Sequence, residues 1–479
     1  MKYMKIIYGT VIAASLLVVQ SCTKFENFGD TNQNPNNATE PITSALLTNV
    51  ESQLGNTIFI NGIAVSGALY AQYATETQYT EASRYSKPVY NIDAYYSGPM
   101  YDLQNIINYN SNSETAPKAV ANGSNANQIA TARILLAYYY WLLTDTWGDI
   151  PYTEALKGNG TIKYDKQSDI YPALIKELKE AVAQFDGGNA FSGDILYNGN
   201  IANRKKFANS VRLLMALRMS KINPTLAQTE FNAALTAGVI QANSENAALV
   251  APGGVYNHWG YQYYFITQRD DYGVAKTIMD HLNAGDARVN AYGSSNIGFP
   301  YGLTRDNAVA FSNANPNYAR MLNPSKRTPS SPMVILSASQ VYLARAEAAQ
   351  RGWTAESASG MYTLGVQRSW EEWGQSTATL AAYLAQPAYD LAAGNALQKI
   401  QLQQWLAFYP NGTQGWANWR RTNVPALTPA PGQALPIVRR IPYGPNDYNF
   451  NLANATEAGA RYTVGGTADS QDGKVWWDN

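Results

Sequence analysis

The residues best suited to bind a ligand concentrate in one aromatic segment, which runs from Tyr256 to Tyr264. Aromatic rings offer flat apolar faces on which the C–H groups of a sugar ring can pack, and neighbouring amide side chains can hydrogen-bond the sugar hydroxyls. We therefore predict that Trp259, Tyr261, Tyr263 and Tyr264 form part of a glycan-binding platform. The alternative is a half-buried β-strand with alternating aromatic residues, because Tyr and Trp favour strands.

Two further stretches combine aromatic and polar residues in the same way. The first lies at a predicted helix end, and the second contains several glycines. They add four candidate ligand-binding residues: Tyr79, Arg84, Tyr85 and Tyr292.

The sequence contains no recognisable catalytic motif. Its two histidines, His258 and His281, do not have the spacing of metal ligands, and no nucleophile elbow or phosphate loop occurs. A glycosidase needs only two carboxylates, but the adjacent Glu371 and Glu372 would point apart on one helix. We therefore predict a binding protein with no catalytic residues and no cofactor. A secreted glycosidase is the less favoured alternative, and a structural calcium ion is left open.

The composition points to an uncharged ligand. Lys+Arg and Asp+Glu both number 35, charged residues make up only 15%, and there are 34 Tyr and 11 Trp. A chain without basic excess lacks the electrostatic signature of nucleic-acid binding. Tyr and Trp in a neutral polar background suit recognition of neutral molecules, although large aromatic residues also fill protein cores.

The N-terminus has the pattern of a lipoprotein signal. Two lysines precede an apolar run from Ile6 to Val19, which is too short for a standard membrane-spanning helix. Cys22, the only cysteine, follows Ser21 as in a lipobox. We predict a signal peptide over 1–21, a covalent lipid on Cys22, and an Asn/Pro-rich tether over 22–41. The mature protein would then be anchored to a membrane without spanning it.

Helical periodicity dominates the rest of the chain, and it predicts a mainly α fold in one domain over 42–479. Helix pairs are expected near 128–237 and 337–409, and a loop-rich insert over 241–332. A long helical stretch over 42–82 should break near Gly55 or Gly62. The predicted pairs, which resemble tetratricopeptide repeats, are 128–144 with 168–185, 203–221 with 229–237, and 337–350 with 355–373.

Two local patterns predict structural arginines. Asp286 and Arg288 have a spacing that suits an ion pair closing a loop. Arg420 and Arg421 lie beside Trp416 and are expected to stack and to hydrogen-bond carbonyls.

Five stretches in order resemble the SusD/RagB superfamily of outer-membrane nutrient-binding lipoproteins, in particular its SusD-like group from Bacteroidetes. They include an Asn/Pro-rich start, a "GDIPY" element, a "FANSLRLRLAMR" helix, an "AEAAxRGW" helix and a "WxxxRRTxxP" segment. The matching residues are 28–37, 146–156, 207–220, 344–353 and 416–425.

This resemblance implies tetratricopeptide-like helix pairs packed against an irregular, loop-rich ligand-binding face. It also implies a SusC-like TonB-dependent transporter as partner, to which captured nutrient is delivered. The protein would face the cell exterior on the outer membrane through its lipid. Family members bind glycans most often and peptides in some cases, so a peptide ligand is the first alternative.

Overall fold

The computed structural model describes residues 40–59, 62–251 and 256–479. Cys22, the predicted signal peptide and nearly all of the predicted tether lie outside the described residues. None of the described helices is both long enough and apolar enough to cross a lipid bilayer.

Helices make up most of the described chain. In chain order the α-helices are α1 (Thr43–Leu54), α2 (Gly62–Tyr70), α3 (Asp93–Tyr95), α4 (Tyr101–Ser111), α5 (Ala116–Ala119), α6 (Asn125–Trp147), α7 (Gln167–Gln184), α8 (Ile201–Arg218), α9 (Pro224–Thr236), α10 (Trp259–Tyr261), α11 (Lys276–Asn283), α12 (Val289–Tyr292), α13 (Arg305–Ala314), α14 (Ala338–Gln350), α15 (Ala358–Glu372), α16 (Leu380–Leu384), α17 (Ala396–Phe408), α18 (Gly412–Thr422) and α19 (Pro445–Ala460).

Four short strands form two antiparallel pairs within the described residues. They are β1 (Ala74–Glu76), β2 (Ala247–Val250), β3 (Tyr272–Val274) and β4 (Pro332–Leu336). β1 pairs with β3, and β2 pairs with β4. These pairs join segments that are far apart in sequence, and they fix the middle of the chain to the segments that carry β1 and β4.

The three predicted helix pairs are confirmed, and they are α6 with α7, α8 with α9, and α14 with α15. The sequence explains the tight third pair, because small residues permit close approach. A Cβ added at Gly365 of α15 would lie 2.6 Å from the side chain of Leu343 on α14. A reciprocal capping box between Ser337 and Gln340 fixes the start of α14. The mainly α, tetratricopeptide-like fold class is therefore confirmed.

α6 packs against α4 and α7 and is buried along almost its whole length. The side chain of Ser124 accepts a hydrogen bond from the backbone N–H of Asn127 and so caps the helix start. At the other end Gly148 has a φ of 84°, and a Cβ there would lie 2.1 Å from the hydroxyl of Tyr462. This glycine permits the turn that begins the "GDIPY" element.

Two sequence-based expectations differ from the structure. The stretch over 42–82 breaks after α1, as predicted, but it is not helical beyond Tyr70, because Gln72 has a φ of 56° and β1 follows. The expected loop-rich insert over 241–332 contains β2, β3 and the first residue of β4, together with several short helices. Its pairing partners lie far away in the sequence, and short-range periodicity does not report them.

The structural roles predicted for Arg288 and Arg420 are confirmed, whereas Arg421 pairs with the carboxylate of Glu347 and does not stack on a tryptophan of the described ranges. Arg288 and Asp286 form an ion pair at 2.5 Å, and both side chains are fully buried. The Arg420 guanidinium lies 3.7 Å from the ring centroid of Trp416 and donates hydrogen bonds to the carbonyls of Arg439 and Asp145.

Two helices, α2 and α18, approach so closely that only glycine fits between their backbones. A Cβ at Gly412 would lie 2.2 Å from the backbone nitrogen of Ala68 and 2.5 Å from the backbone oxygen of Ala64. We expect Gly412→Ala to lower the free energy of unfolding by about 1–3 kcal/mol, because overpacking forces the helices apart. Urea unfolding would measure this loss. Gly187→Ala is the matched control, since nothing lies within 4 Å of the added carbon, and equal stability of the two variants would contradict the prediction.

Candidate functional site

The β1–β3 pair brings two of the predicted aromatic stretches together. Because the strands are antiparallel, the end of β1 at Glu76 pairs with the start of β3 at Tyr272. The chain leaving β1 therefore runs beside the chain entering β3, and the backbone N–H of Thr77 donates to the carbonyl of Asp271 at 2.9 Å. The segment around Tyr79 follows β1, and the segment around Tyr264 precedes β3. Both segments therefore lie at the same end of this small sheet.

A stacked aromatic pair, half-buried Tyr261 and exposed Phe265, is the most distinctive feature of this region. Tyr261 and Phe265 lie one turn apart on α10 and the π-helical turn that follows it, so their side chains share one face. Their ring centroids are 4.7 Å apart with an interplanar angle of 22°, and Phe265 is 64% exposed. We call these two rings the aromatic platform. Stacked, solvent-facing rings of this kind can pack against the C–H face of a sugar.

Tyr263 and Tyr264 support the platform from its buried side. Tyr263 is buried, and its hydroxyl donates to the carboxylate of Asp271 at 2.9 Å. The Tyr264 hydroxyl accepts from the backbone N–H of Met321 and donates to the carbonyl of Tyr272. The guanidinium of Arg327 covers the Tyr264 ring at 3.8 Å. These two tyrosines are therefore framework residues that fix the turn.

Asp271 joins the two aromatic stretches. Besides Tyr263, its carboxylate accepts hydrogen bonds from Gln78 at 2.7 Å and from Arg269 at 2.6 Å. Burial alone would raise the pKa of Asp271, but these three donors lower it below the usual value. The ionised carboxylate thus fixes Gln78 and the adjacent Tyr79 beside the turn that carries the platform.

Tyr79 is the exposed aromatic residue of the first stretch. Its ring is 50% exposed, and the guanidinium of Arg305 lies 6.0 Å from the ring centroid. The loop that carries it is closed by a reciprocal pair of hydrogen bonds. The backbone N–H of Glu76 donates to the Ser83 hydroxyl, and the backbone N–H of Ser83 donates to the Glu76 carboxylate.

The comparisons with known proteins give a consistent result. A family described as SusD-like, starch-binding and associating with the outer membrane matches residues 35–444. The chain belongs to the SusD-like family. None of the curated proteins matches it.

Solved structures of SusD-like proteins share its fold. One, named a chitin-binding protein, is 30% identical, with a TM-score of 0.75 over 91% of this chain and 99% of the other. A chitin-binding SusD homologue from Flavobacterium johnsoniae is 23% identical, with a TM-score of 0.74 over 91% of this chain and 98% of the other. A SusD homologue from Bacteroides uniformis is 24% identical, with a TM-score of 0.73 over 91% and 99% of the two chains.

Several residues of this SusD-like chain that were predicted from the sequence to contact the ligand are buried. Trp259 is 4% exposed and packs on Phe59 with ring centroids 4.8 Å apart. Tyr292 is fully buried, stacks on Tyr409 at 4.2 Å and donates to the carbonyl of Leu406. The prediction that Trp259 and Tyr292 contact the ligand is therefore wrong, because neighbouring core residues cover both rings.

Arg84 and Tyr85 also have structural partners. Arg84 donates to the carbonyls of Gly302 and Pro431, at 2.7 and 3.0 Å. Tyr85 is 1% exposed, and its hydroxyl accepts from the backbone N–H of Ala430. Both residues hold the loop after Tyr79 against distant segments, so the structure gives them an anchoring role.

His258 has the structural role expected of an isolated histidine. Its Nδ1 accepts the backbone N–H of Gly260 at 2.9 Å and so caps α10. Burial, followed by the nearby Arg327, lowers its pKa to about 4. Across the described ranges of the chain, no three metal-ligating side chains come together.

Phe265, Gln78 and Asp271 were not among the sequence candidates. The signal for Phe265 is its i, i+4 spacing from Tyr261, which becomes visible once the segment is treated as a helical turn. Gln78 and Asp271 meet only through strand pairing, and no local pattern in the sequence reports that.

The loop that carries Tyr79 should respond to pH through Glu76. Burial raises the pKa of Glu76 from 4.5 to about 7. A carboxyl whose pKa is raised on folding stabilises the protein below its unfolded pKa, and that contribution is lost as pH rises through the folded pKa. We expect the wild type to lose stability from about pH 5 to about pH 8 relative to Glu76→Gln, which cannot titrate. Thermal unfolding of both proteins over this range would measure the difference.

The comparison isolates Glu76 from similar groups. Burial also raises the pKa of Glu51 and of Glu372 to about 7, but both proteins contain these residues, so their effects cancel. Parallel stability curves for the two proteins would contradict the prediction.

Proposed function

We propose that this SusD-like protein is a glycan-binding lipoprotein on the cell exterior, which captures oligosaccharides and delivers them to a SusC-like TonB-dependent transporter. The observation that carries the proposal is the stacked pair of the half-buried Tyr261 and the exposed Phe265. The starch-binding description of the family and the name of the 30%-identical chitin-binding protein support a glycan as the ligand class.

The residues around the platform suit binding better than bond cleavage. A glycosidase needs one protonated carboxyl acid and a second carboxylate. The two carboxylates beside the platform are each paired with an arginine, Asp271 with Arg269 at 2.5 Å and Asp270 with Arg320 at 2.6 Å. The lowered pKa of Asp271 also opposes a role as general acid. These side chains can instead hydrogen-bond hydroxyl groups at the edge of a stacked sugar.

A direct test uses the soluble protein that begins after Cys22. It would be run in native gels containing chitin-derived, starch-derived or other polysaccharides, and each mixture would be assayed for released reducing sugar. We expect retardation by at least one polysaccharide without sugar release. Release of sugar would instead indicate a glycosidase. Retardation by none, with measurable affinity for oligopeptides, would favour the peptide-binding alternative.

The proposed anchor has its own test. We expect Cys22→Ala to abolish incorporation of labelled fatty acid and to release the protein from the membrane fraction, because Cys22 is the only cysteine in the sequence. Ser21→Ala is the matched control, since a small residue is retained before the cysteine. A variant that remains membrane-bound and labelled would contradict the lipid anchor. Co-purification of the wild type with a large barrel protein would test the proposed partner.

A further inference from the structure

The described part of the chain also contains a concave surface outside the aromatic platform. It is an open cleft of about 660 Å³, lined by the end of α11, by α12 and by the segment after α12. Its volume falls within the range of small-ligand sites, about 300–1,000 Å³. None of the residues that line it is aromatic. The only ionisable side chain in its lining, Asp286, is fully buried in the ion pair with Arg288.

The lining of this cleft is rich in neutral groups that donate and accept hydrogen bonds. The side-chain nitrogens of Asn283 and Asn290 each donate to a backbone carbonyl, of Asn296 and Ala287 respectively. Within the described part of the chain, the side-chain oxygens of Asn283 and Asn290 and the whole side-chain amide of Asn296 have no protein partner. Asn290 and Asn296 are exposed. Free amides match sugar hydroxyls, which also donate and accept.

Backbone pairing connects the cleft to the platform region. At the rim of the cleft, the N–H of Ser294 donates to the carbonyl of Arg320, and the N–H of Arg320 donates to the Ser294 hydroxyl. Arg320 is also bridged to Gly273 of β3, and its guanidinium pairs with Asp270, the neighbour of Asp271. Adjacent strands lie about 4.8 Å apart, so two such spacings, about 10 Å, separate the rim of the cleft from β3.

We propose that the cleft is a second subsite, which holds further residues of the same neutral oligosaccharide that stacks on the aromatic platform. This inference rests on the proposed glycan-binding function. Without an aromatic ring the cleft contributes hydrogen bonds alone, so it binds a sugar weakly by itself. Once the platform holds one part of the chain, the next part meets the cleft at high effective concentration. The two surfaces together therefore select for chain length.

The test compares short and long probes. Oligosaccharides of two and six residues from chitin and from starch would be titrated into the wild type, into Asn290→Ala/Asn296→Ala and into the control Asn159→Ala, which replaces an exposed asparagine in another loop. We expect the double variant to lose about threefold to tenfold in affinity for the six-residue probe, from net hydrogen bonds of about 0.5–1.5 kcal/mol. Its affinity for the two-residue probe should be unchanged, as should both affinities of the control.

The possible failures are distinguishable. A double variant that binds both lengths as the wild type does, or that loses the same factor for both, overturns the second subsite and leaves the proposed function standing. If no neutral oligosaccharide binds to the wild type, the proposed function fails and the inference fails with it. Equal melting temperatures of all three proteins would show that any loss reflects binding and not folding.

Discussion

The double variant Tyr261→Ala/Phe265→Ala is expected to bind its glycan about 30-fold more weakly than the wild type. Each stacked ring contributes about 1 kcal/mol beyond simple burial, and about 2 kcal/mol corresponds to that factor. The loss should appear in calorimetric titration with the six-residue oligosaccharide, and also in reduced gel retardation. Stability should change little, because Phe265 is 64% exposed and the hydrogen bonds of the turn come from the neighbouring tyrosines.

The chain supplies a matched control for this experiment. Phe450 on α19 is 73% exposed and lies in a different part of the sequence. Phe450→Ala therefore removes a similar solvent-facing ring, and we expect it to leave the affinity unchanged. If the double variant and the wild type had equal affinities, the platform would not be part of the binding site. An equal loss of affinity in Phe450→Ala would lead to the same conclusion.

Glu347→Gln is expected to lower the free energy of unfolding by about 3–5 kcal/mol, the cost of leaving a buried charge without its partner. Glu347 on α14 is fully buried, and both of its oxygens accept from Arg421 on α18 at 2.7 Å. Gln404 on α17 also donates to it at 2.9 Å. Burial alone would raise the pKa of Glu347, but Arg421 and Arg351 lower it to about 2. The ionised carboxylate therefore holds three helices together.

Two further variants separate this effect from loss of packing. Glu347→Leu/Arg421→Met removes both charges and keeps apolar volume, so it should recover much of the stability lost in Glu347→Gln. Arg368→Ala breaks a half-buried pair with Glu371 on α15, and we expect a cost of about 1 kcal/mol or less. Denaturant unfolding of these proteins would measure the differences. A Glu347→Gln variant as stable as Arg368→Ala would show that the buried pair is dispensable.

Local sequence signals were sufficient for the helical part of the fold. The periodicity of α6, α7, α8, α9, α14 and α15 lies within each helix, so the pairs could be predicted without an alignment. The same signals failed after Tyr70 and within 241–332. The strands there are three to five residues long, and their partners lie far away in the sequence, as for Glu76 with Tyr272 and Val250 with Pro332. Such pairing depends on tertiary contacts that no local window contains.

The candidate site could be predicted only to the level of the segment. The aromatic stretch that begins at Tyr256 includes Tyr261, which is one half of the stacked pair. Composition could not distinguish Trp259, which faces the core, from Tyr261, because both are large aromatic residues in an aperiodic stretch. Burial is decided by which turn the backbone adopts, and the π-helical turn at 262–266 rotates Tyr263 inward and Phe265 outward.

Neighbouring side chains of that turn have different structural roles. The inward-facing tyrosines hydrogen-bond to the start of β3 and to Met321, while Tyr261 and Phe265 stack on each other at the surface. Residues 261 and 265 can therefore be exchanged for other side chains at little risk to folding. The segment is a natural point at which to engineer new cargo preferences, with the same scaffold presenting a different pair of side chains.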